Sequence, residues 1–469
     1  MSSANQPTKG GIDLTKSRRL RLLAGLGPAL VAAWAIGTSG APAFAATPTA
    51  QSEGQPLYTT DGTAVPATAL ANARTIPHFT FSFTDPNNGI TYPITMVGTD
   101  PRTNPTTTTV HTEIIPLKMN FVAANQDLSI LYDQGYVGFR PTAYNHTFDG
   151  SSKVDATLAS PMFTNGVTPS DMGGENTQLG DAFMRAQFNK IGSNYHVLLA
   201  NDSVYPTVTL NVPANQGIAY IRPVPRWRLD HGLQTTPDYT GLANVSWFSA
   251  QLQNLMKSLQ IDSTTVPIFL TDNVLLYQGE GNYLNCCILG YHGSGAEMPN
   301  SHGTGSINTG GQAKVQTYMF AAYTTPGTYS RYESDYLGPR TNPAPTRGLA
   351  DIHGLSHEVS EWLDDPFTNN AVTPWLTPTA PQYGCTRLLE VGDPVVGVWF
   401  PMSGNTFATD PNSHGLWHPE DEVFAQWYGR GGVEPVMGSS WDGRLTFMGP
   451  RTTGIGGPFA AFSTYATGC

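Results

Sequence analysis

The stretch His353-Gly354-Leu355-Ser356-His357-Glu358-Val359-Ser360-Glu361-Trp362-Leu363-Asp364-Asp365-Pro366 carries the residue types of metal chemistry. His357 and Glu361 are four positions apart. On a helix that spacing puts them one turn apart on one face, so an imidazole and a carboxylate can close on a single cation. Glu358 is rotated about 100° from His357 and can reach a water on the cation rather than the cation itself. A bound divalent metal brings the pKa of such a water toward about 7, and a carboxylate base then takes its proton. His353 lies one further turn back on nearly the same face, which makes His353, His357 and Glu361 an alternative ligand set. The bland alternative is a helix with exposed carboxylates and a satisfied histidine.

A site of this kind needs a third protein ligand from elsewhere in the chain. The best candidate is Glu390, in Cys385-Thr386-Arg387-Leu388-Leu389-Glu390-Val391-Gly392-Asp393-Pro394. Only 13% of the residues are charged, so two carboxylates among Leu388, Leu389, Val391, Val395 and Val396 do not read as casual surface. A buried carboxylate needs a partner, and a cation supplies one. Asp393 is either an alternative ligand or an acceptor for the far nitrogen of His357. Loop amides holding either carboxylate are the structural alternative. One neutral imidazole with Glu361 and Glu390 balances one divalent cation. Zn²⁺ is the first expectation, and the oxygen-rich shell also admits Mn²⁺ or Ca²⁺.

The run HExxE-W-x-x-DP, followed by Trp375 and by Glu390-Val391-Gly392-Asp393, resembles a group of secreted bacterial metallopeptidase-like proteins. It is more distantly similar to the HExxE…DP…W…EIGD pattern of plant phosphate-induced (Exordium-like) proteins. The resemblance covers residues 353–394 and implies a zincin-like domain. By its pattern His357 and Glu361 are ligands, Glu358 is the base and Glu390 the third ligand. Well-studied gluzincins carry His at the position of Glu361, and this chain departs from them there.

The elements that must position these residues follow from periodicity. Phe79 to Phe83 alternates, and strands are expected at Ile90–Val97, Thr107–Pro116, Tyr195–Ala200, Thr207–Val212 and Ala219–Arg222. Helices are expected at Gln178–Lys190 and Val245–Leu259, where apolar residues recur at helical spacing. Val266–Tyr277, Cys287–Tyr291 and Val315–Tyr323 read as further strands. A loop at Thr324–Arg347 precedes a helix at Asp351–Leu363, with Asp351 as its cap and Pro366 beyond its end. The fold class is α+β. The expected organisation is a signal peptide at 1–45, a linker at 46–75, a β-rich domain at 76–235 and a zincin-like metal-binding domain at 240–469.

The first 45 residues place Lys16-Ser17-Arg18-Arg19-Leu20-Arg21 before an apolar run from Leu22 to Ile36, then Ala43-Phe44-Ala45. That is the pattern of an export signal, with a twin-arginine route open. The apolar run is short for a membrane span of about 20 residues, and no later segment reaches about 18 apolar residues, so no membrane span is expected in the mature chain. Beyond residue 45 the chain holds 19 basic and 34 acidic residues. An acidic body argues against nucleic acid as a partner. Cys286, Cys287, Cys385 and Cys469 are expected to be oxidised outside the cytoplasm. Adjacent cysteines rarely bridge, which leaves Cys286 and Cys287 to pair with Cys385 and Cys469 in either order.

Together these point to an exported metal-dependent hydrolase, a metallopeptidase cleaving amide bonds in an extracellular protein or polymer. The rival is a non-catalytic extracellular or cell-surface binding protein with a structural metal. A third reading is a metal-free acid hydrolase that pairs Glu358 with Glu390. His292, after the cysteine pair, and the loop residues His414 and His418 read as structural; Asp364 and Asp365 read as the helix end.

Overall fold

The computed structural model describes residues 70–123, 143–165, 176–222, 238–297, 313–324, 352–376, 385–407 and 417–469, short gaps within these ranges excepted. The expected leader at 1–45, the linker up to residue 69, the loop at 325–347, the cap Asp351, and His414 and His418 lie outside the described residues. In chain order the strands are β1 (His78–Thr84), β2 (Thr91–Val97), β3 (Thr107–Phe121), β4 (His146–Asp149), β5 (His196–Val204), β6 (Val208–Val212), β7 (Gly217–Arg222) and β8 (Asp238–Asn244). They continue as β9 (Thr265–Asp272), β10 (Val274–Tyr277), β11 (Cys286–Ile288), β12 (Gly290–Glu297), β13 (Lys314–Tyr323), β14 (Ala371–Leu376) and β15 (Cys385–Leu388). The helices are α1 (Val154–Ala159), α2 (Leu179–Gln187), α3 (Val245–Ser258), α4 (His353–Asp364), α5 (Ala425–Gly429) and α6 (Glu434–Met437). Sheet dominates this mixture, which is compatible with the α+β class.

The main sheet runs β12-β13-β9-β3-β4, with β5 and β6 also on β3. β5, β6 and β9 run parallel to β3, and β13 runs parallel to β9. β4 and the edge strand β12 are antiparallel. β3 is 15 residues long and changes neighbour along its length. Its pairing with β5 ends at Ile114↔Val204, and its pairing with β6 begins at Leu117↔Val208. Pro116, which has no N–H to give a ladder, falls between those two pairings.

Both faces of this sheet are covered, so its central strands bury residues on both sides. Val266, Ile268 and Leu270 of β9 join one core with α2 and α4, while Phe269 joins the other with α3. β13 divides likewise: Met319 and Ala321 turn to the first core, Tyr318 and Phe320 to the second.

Three expectations are corrected here. The boundary expected between 235 and 240 does not separate two bodies, because β3 from the first region pairs along His111–Pro116 with β9 from the second. The expected strand Val266–Tyr277 is two strands. Asn273 adopts a left-handed φ of 54°, a conformation asparagine tolerates, and hands the chain from the main sheet to a four-stranded sheet, β11-β10-β8-β7. The cysteines do not cross-pair. Cys385 bonds Cys469, with Cα atoms 6.0 Å apart, because β14 meets both partners: Leu376 faces Cys385, and Trp375 bridges Gly468. Cys286 and Cys287 sit in the other sheet and are bonded to each other across a cis peptide bond.

The helix that carries the motif, α4, lies over β12 and β13. Leu355, Val359, Trp362 and Leu363 enter the first core, and Trp362 Nε1 donates to Thr317 Oγ1 on β13 at 3.1 Å. α2 approaches closely because Gly180 has no side chain there; a Cβ would lie 2.9 Å from Leu363 Cδ1. The helix ends before Pro366, where the Asp365 N–H donates to the Glu361 carbonyl at 2.7 Å. The Asp365 carboxylate then accepts from the Asn369 and Asn370 amides, and Asn370 exchanges two hydrogen bonds with the backbone of Thr95 on β2.

Candidate metal centre

α4 is buried on every side, His357 being its one partly exposed residue. His357 Nε2 lies 3.1 Å from Glu361 Oε1, one turn on, and 3.9 Å from Asp393 Oδ1. His357, Glu361 and Asp393 each offer a ligand atom within 4.8 Å of the others. The loop that brings Asp393 is aimed by its own backbone, since the Gly392 and Asp393 amides both donate to Glu361 Oε1 at 3.2 Å. Gly392 is required at that approach: a Cβ would lie 2.4 Å from His357 Nδ1.

The other face of the His357 ring is held by Glu420. Its Oε2 accepts from His357 Nδ1 at 3.0 Å and from His353 Nε2 at 2.9 Å. Burial alone would raise the Glu420 pKa, but the charges of His353 and His357 hold it at about 2, so it is an ionised acceptor. The proton therefore sits on His357 Nδ1, and Nε2 is the nitrogen turned to Glu361 and Asp393. Burial would lower the His357 pKa, yet Glu361 and Glu420 push it well above its ordinary value. Burial likewise opposes ionisation of Glu361, and the His357 charge outweighs it, leaving Glu361 below the usual carboxylate range. Without a cation, a second proton on His357 takes that place.

A second convergence lies on the opposite side of Glu361. His292, on the edge strand β12, puts Nδ1 3.4 Å from Glu358 Oε2 and 3.7 Å from Glu361 Oε2. Its Nε2 lies 3.0 Å from the Asp365 carbonyl and 3.8 Å from Glu390 Oε2. Burial pushes Glu358 up. Burial, then the fields of Glu361 and Asp365, push Glu390 well above the carboxylate range. Partial burial and the field of Glu361 also raise Asp393, whose side chain is still 49% exposed.

No family model, curated protein or solved structure matches the chain.

The structure thus brings His357, Glu358 and Glu361 together as the motif spacing requires. Of the two loop carboxylates expected as candidates, the alternative, Asp393, is the one that reaches the helix. Asp393, not Glu390, joins His357 and Glu361; the turn that offers its amides to Glu361 sends the Glu390 side chain to His292, and the Glu390 carbonyl accepts from Tyr428 OH on α5. His353 Nε2 faces Glu420 Oε2, 2.9 Å away, rather than the cluster of His357, Glu361 and Asp393. Asp364 and Asp365 do end the helix, and Gln187 Nε2 of α2 donates to Asp364 Oδ1 at 2.8 Å. Glu420 is not among the sequence expectations, and His292 is expected there to be structural. Glu420 has a faint signal, as the first of three acids between Pro419 and Val423 in a charge-poor chain. His292 has another, a histidine in the small-residue strand Gly290-Tyr291-His292-Gly293-Ser294-Gly295, which leaves room for a side chain from above.

Proposed function

We infer that this chain is an exported, metal-dependent hydrolase of amide bonds in protein or polymer outside the cell, with its cation held by His357, Glu361 and Asp393. The observation that carries the reading is the pair of oriented ligands on α4: an imidazole with its Nδ1 proton fixed by Glu420, and a carboxylate fixed by two loop amides. The donor set fits a divalent cation, since one neutral imidazole and two carboxylates balance its charge. Bound there, the cation supplies Lewis acidity beside the scissile carbonyl.

The remaining work falls to the protein. Glu358 is buried beside Glu361, and the burial that raises its pKa suits it to take a proton from the attacking water and pass it to the leaving amine. Glu420 keeps His357 in the tautomer that presents Nε2. The leader at 1–45, basic then apolar, supports export, and the arrangement on one helix agrees with the zincin-like resemblance.

The test is metal analysis of the purified chain together with Glu358→Gln. At least one equivalent of a divalent ion, casein-type cleavage in the wild type, and retained metal without cleavage in E358Q are expected. A chain free of divalent metal overturns the reading. A second reading, a surface-binding protein with a structural cation, is favoured by one observation: the Glu358 and Glu361 side chains are only 4% and 6% exposed. Metal that stabilises the fold while every substrate stays uncut selects it.

A further inference from the structure

The geometry points to a second divalent-cation site, formed by His292 Nδ1, Glu358 Oε2 and Glu361 Oε2, so that Glu361 offers one oxygen to each of two cations. Glu361 already divides in this way: Oε1 faces His357 and Oε2 faces His292. The three side chains are buried, and their ligand atoms lie within 4.8 Å of one another.

Hydrogen-bond accounting supports a cation here. Asp365 O is a carbonyl and can only accept, so the His292 nitrogen 3.0 Å from it, Nε2, carries the proton. The other nitrogen, Nδ1, then presents a lone pair. It points at two carboxylate oxygens that also accept when ionised. Three electron-rich atoms thus converge, and what reconciles them is a positive charge between them. A proton on Glu358 or on Nδ1 is the rival occupant, and distance separates the two. A proton shared between oxygen and nitrogen draws its partners to about 2.7–3.0 Å. Two ligands 2.1 Å from one tetrahedral cation stand about 3.4 Å apart. The observed separations are 3.4 and 3.7 Å.

Two further features agree. Gly290 leaves the space that the Glu358 carboxyl occupies, since a Cβ there would lie 2.6 Å from Oε1. Among the described residues Glu390 Oε2 is buried with no hydrogen-bond partner, and it lies beside the same histidine, adding negative charge where a cation would be. His292 donating its far N–H to a backbone carbonyl is also how ligating histidines are oriented.

The site shares Glu361 with the hydrolytic centre but does not use His357, so removing one histidine at a time tells the two apart. It does rest on the reading of Glu358 as base for one consequence: a cation at Oε2 engages the carboxylate that would take the water proton, so metal beyond one equivalent inhibits cleavage. The experiment is a calorimetric Zn²⁺ titration of the metal-stripped full chain, of His292→Gln and of His357→Gln, with circular dichroism to confirm folding. Two equivalents in the wild type and one in each variant are expected. One equivalent in the wild type, kept in H292Q and lost in H357Q, overturns this site and leaves the hydrolytic centre standing. One equivalent lost in H292Q and kept in H357Q supports this site and overturns the other; none overturns both. Should H292Q fail to fold, Gly290→Ala, two residues along the same strand, displaces the Glu358 carboxyl and must also cost one equivalent.

Discussion

Glu420→Gln isolates the claim that a carboxylate behind His357 sets the metal centre. In the wild type one oxygen, Oε2, accepts from His353 Nε2 at 2.9 Å and from His357 Nδ1 at 3.0 Å. A glutamine keeps the shape but loses the charge, and it cannot satisfy two imidazole donors as the carboxylate does. The Glu420 carboxyl is held at about 2 against an ordinary 4.5, which corresponds to about 3 kcal/mol of preference for its ionised form in the fold. The sign follows from the depressed value. The contribution is complete above the unfolded pKa of 4.5 and is lost as pH falls from there to about 2. His357 runs the other way: its raised pKa stabilises the metal-free fold fully below 6.5, and that contribution is lost as pH rises through the raised value.

The metal-free pair is therefore strongest from about pH 4.5 up to the titration of His357. There E420Q should lose about 3 kcal/mol, a fall of roughly 3–4 °C in Tm for a unit of about 400 residues. On acidification the gap between the two proteins should close. Freed from Glu420, His357 samples both tautomers, and Zn²⁺ affinity at pH 7.5 should drop 10- to 100-fold. Urea melts at pH 7, 4 and 3 with a chelator-competition Kd test both parts. If E420Q binds Zn²⁺ as tightly as the wild type and keeps the same gap at pH 3, the orienting role assigned to Glu420 is wrong.

Gly392→Ala places a methyl 2.4 Å from His357 Nδ1 and must push the ring off Glu420, so Zn²⁺ affinity should fall at least tenfold by the same competition assay. Zn²⁺ affinity of the wild type should weaken as pH falls below the raised His357 value, because metal and proton compete for Nε2; titrations at several pH values check this. Replacing Cys385 and Cys469 together with serine opens a loop with a sequence separation of 84 and should cost about 4–5 kcal/mol in reversible melts. Gln187→Ala strips Asp364 Oδ1 and the Ala425 N–H of a buried partner each, and should destabilise the chain by about 2–4 kcal/mol in urea.

What the sequence made legible was local. Helical spacing located α2, α3 and α4 to within a few residues, and alternation located β1 and β2, because those patterns need only neighbours along the chain. Partnership was not legible. β3 and β9 are separated by some 150 residues, and nothing in either says that His111–Pro116 will lie beside Thr265–Leu270. The division expected near 235–240 was drawn from a change in local character, whereas one sheet spans it. Cysteine pairing failed for the same reason, since it depended on the C-terminus reaching β14.

The site divides along the same line. His357, Glu358 and Glu361 share one helix, so spacing sufficed. Glu390 and Asp393 are three residues apart on a loop, and which one reaches the helix depends on where the Gly392 and Asp393 amides point. His292 and Glu420 arrive from a strand and a loop on opposite sides of α4.

Their arrival matters for more than ligand count. Glu358, Glu361, Glu390 and Glu420 are packed around three histidines, in a chain where only 13% of residues are charged. Among the described residues, the ion-pair partners of Glu358, Glu361 and Glu390 are histidines. An imidazole supplies one positive charge only while protonated, and it then has no lone pair for a metal. Protons and cations are thus alternative occupants of one acidic core. The carboxyls pushed up by burial, Glu358 and Glu390, favour the fold in their neutral form; that contribution is complete below their ordinary 4.5 and is lost as pH rises through their raised values. The metal-free chain must therefore weaken toward neutral pH, and a divalent cation must restore most there and least near pH 4. Melts that show the same metal-induced gain at both ends of that range would contradict the exchange of proton for cation on which the centre is built.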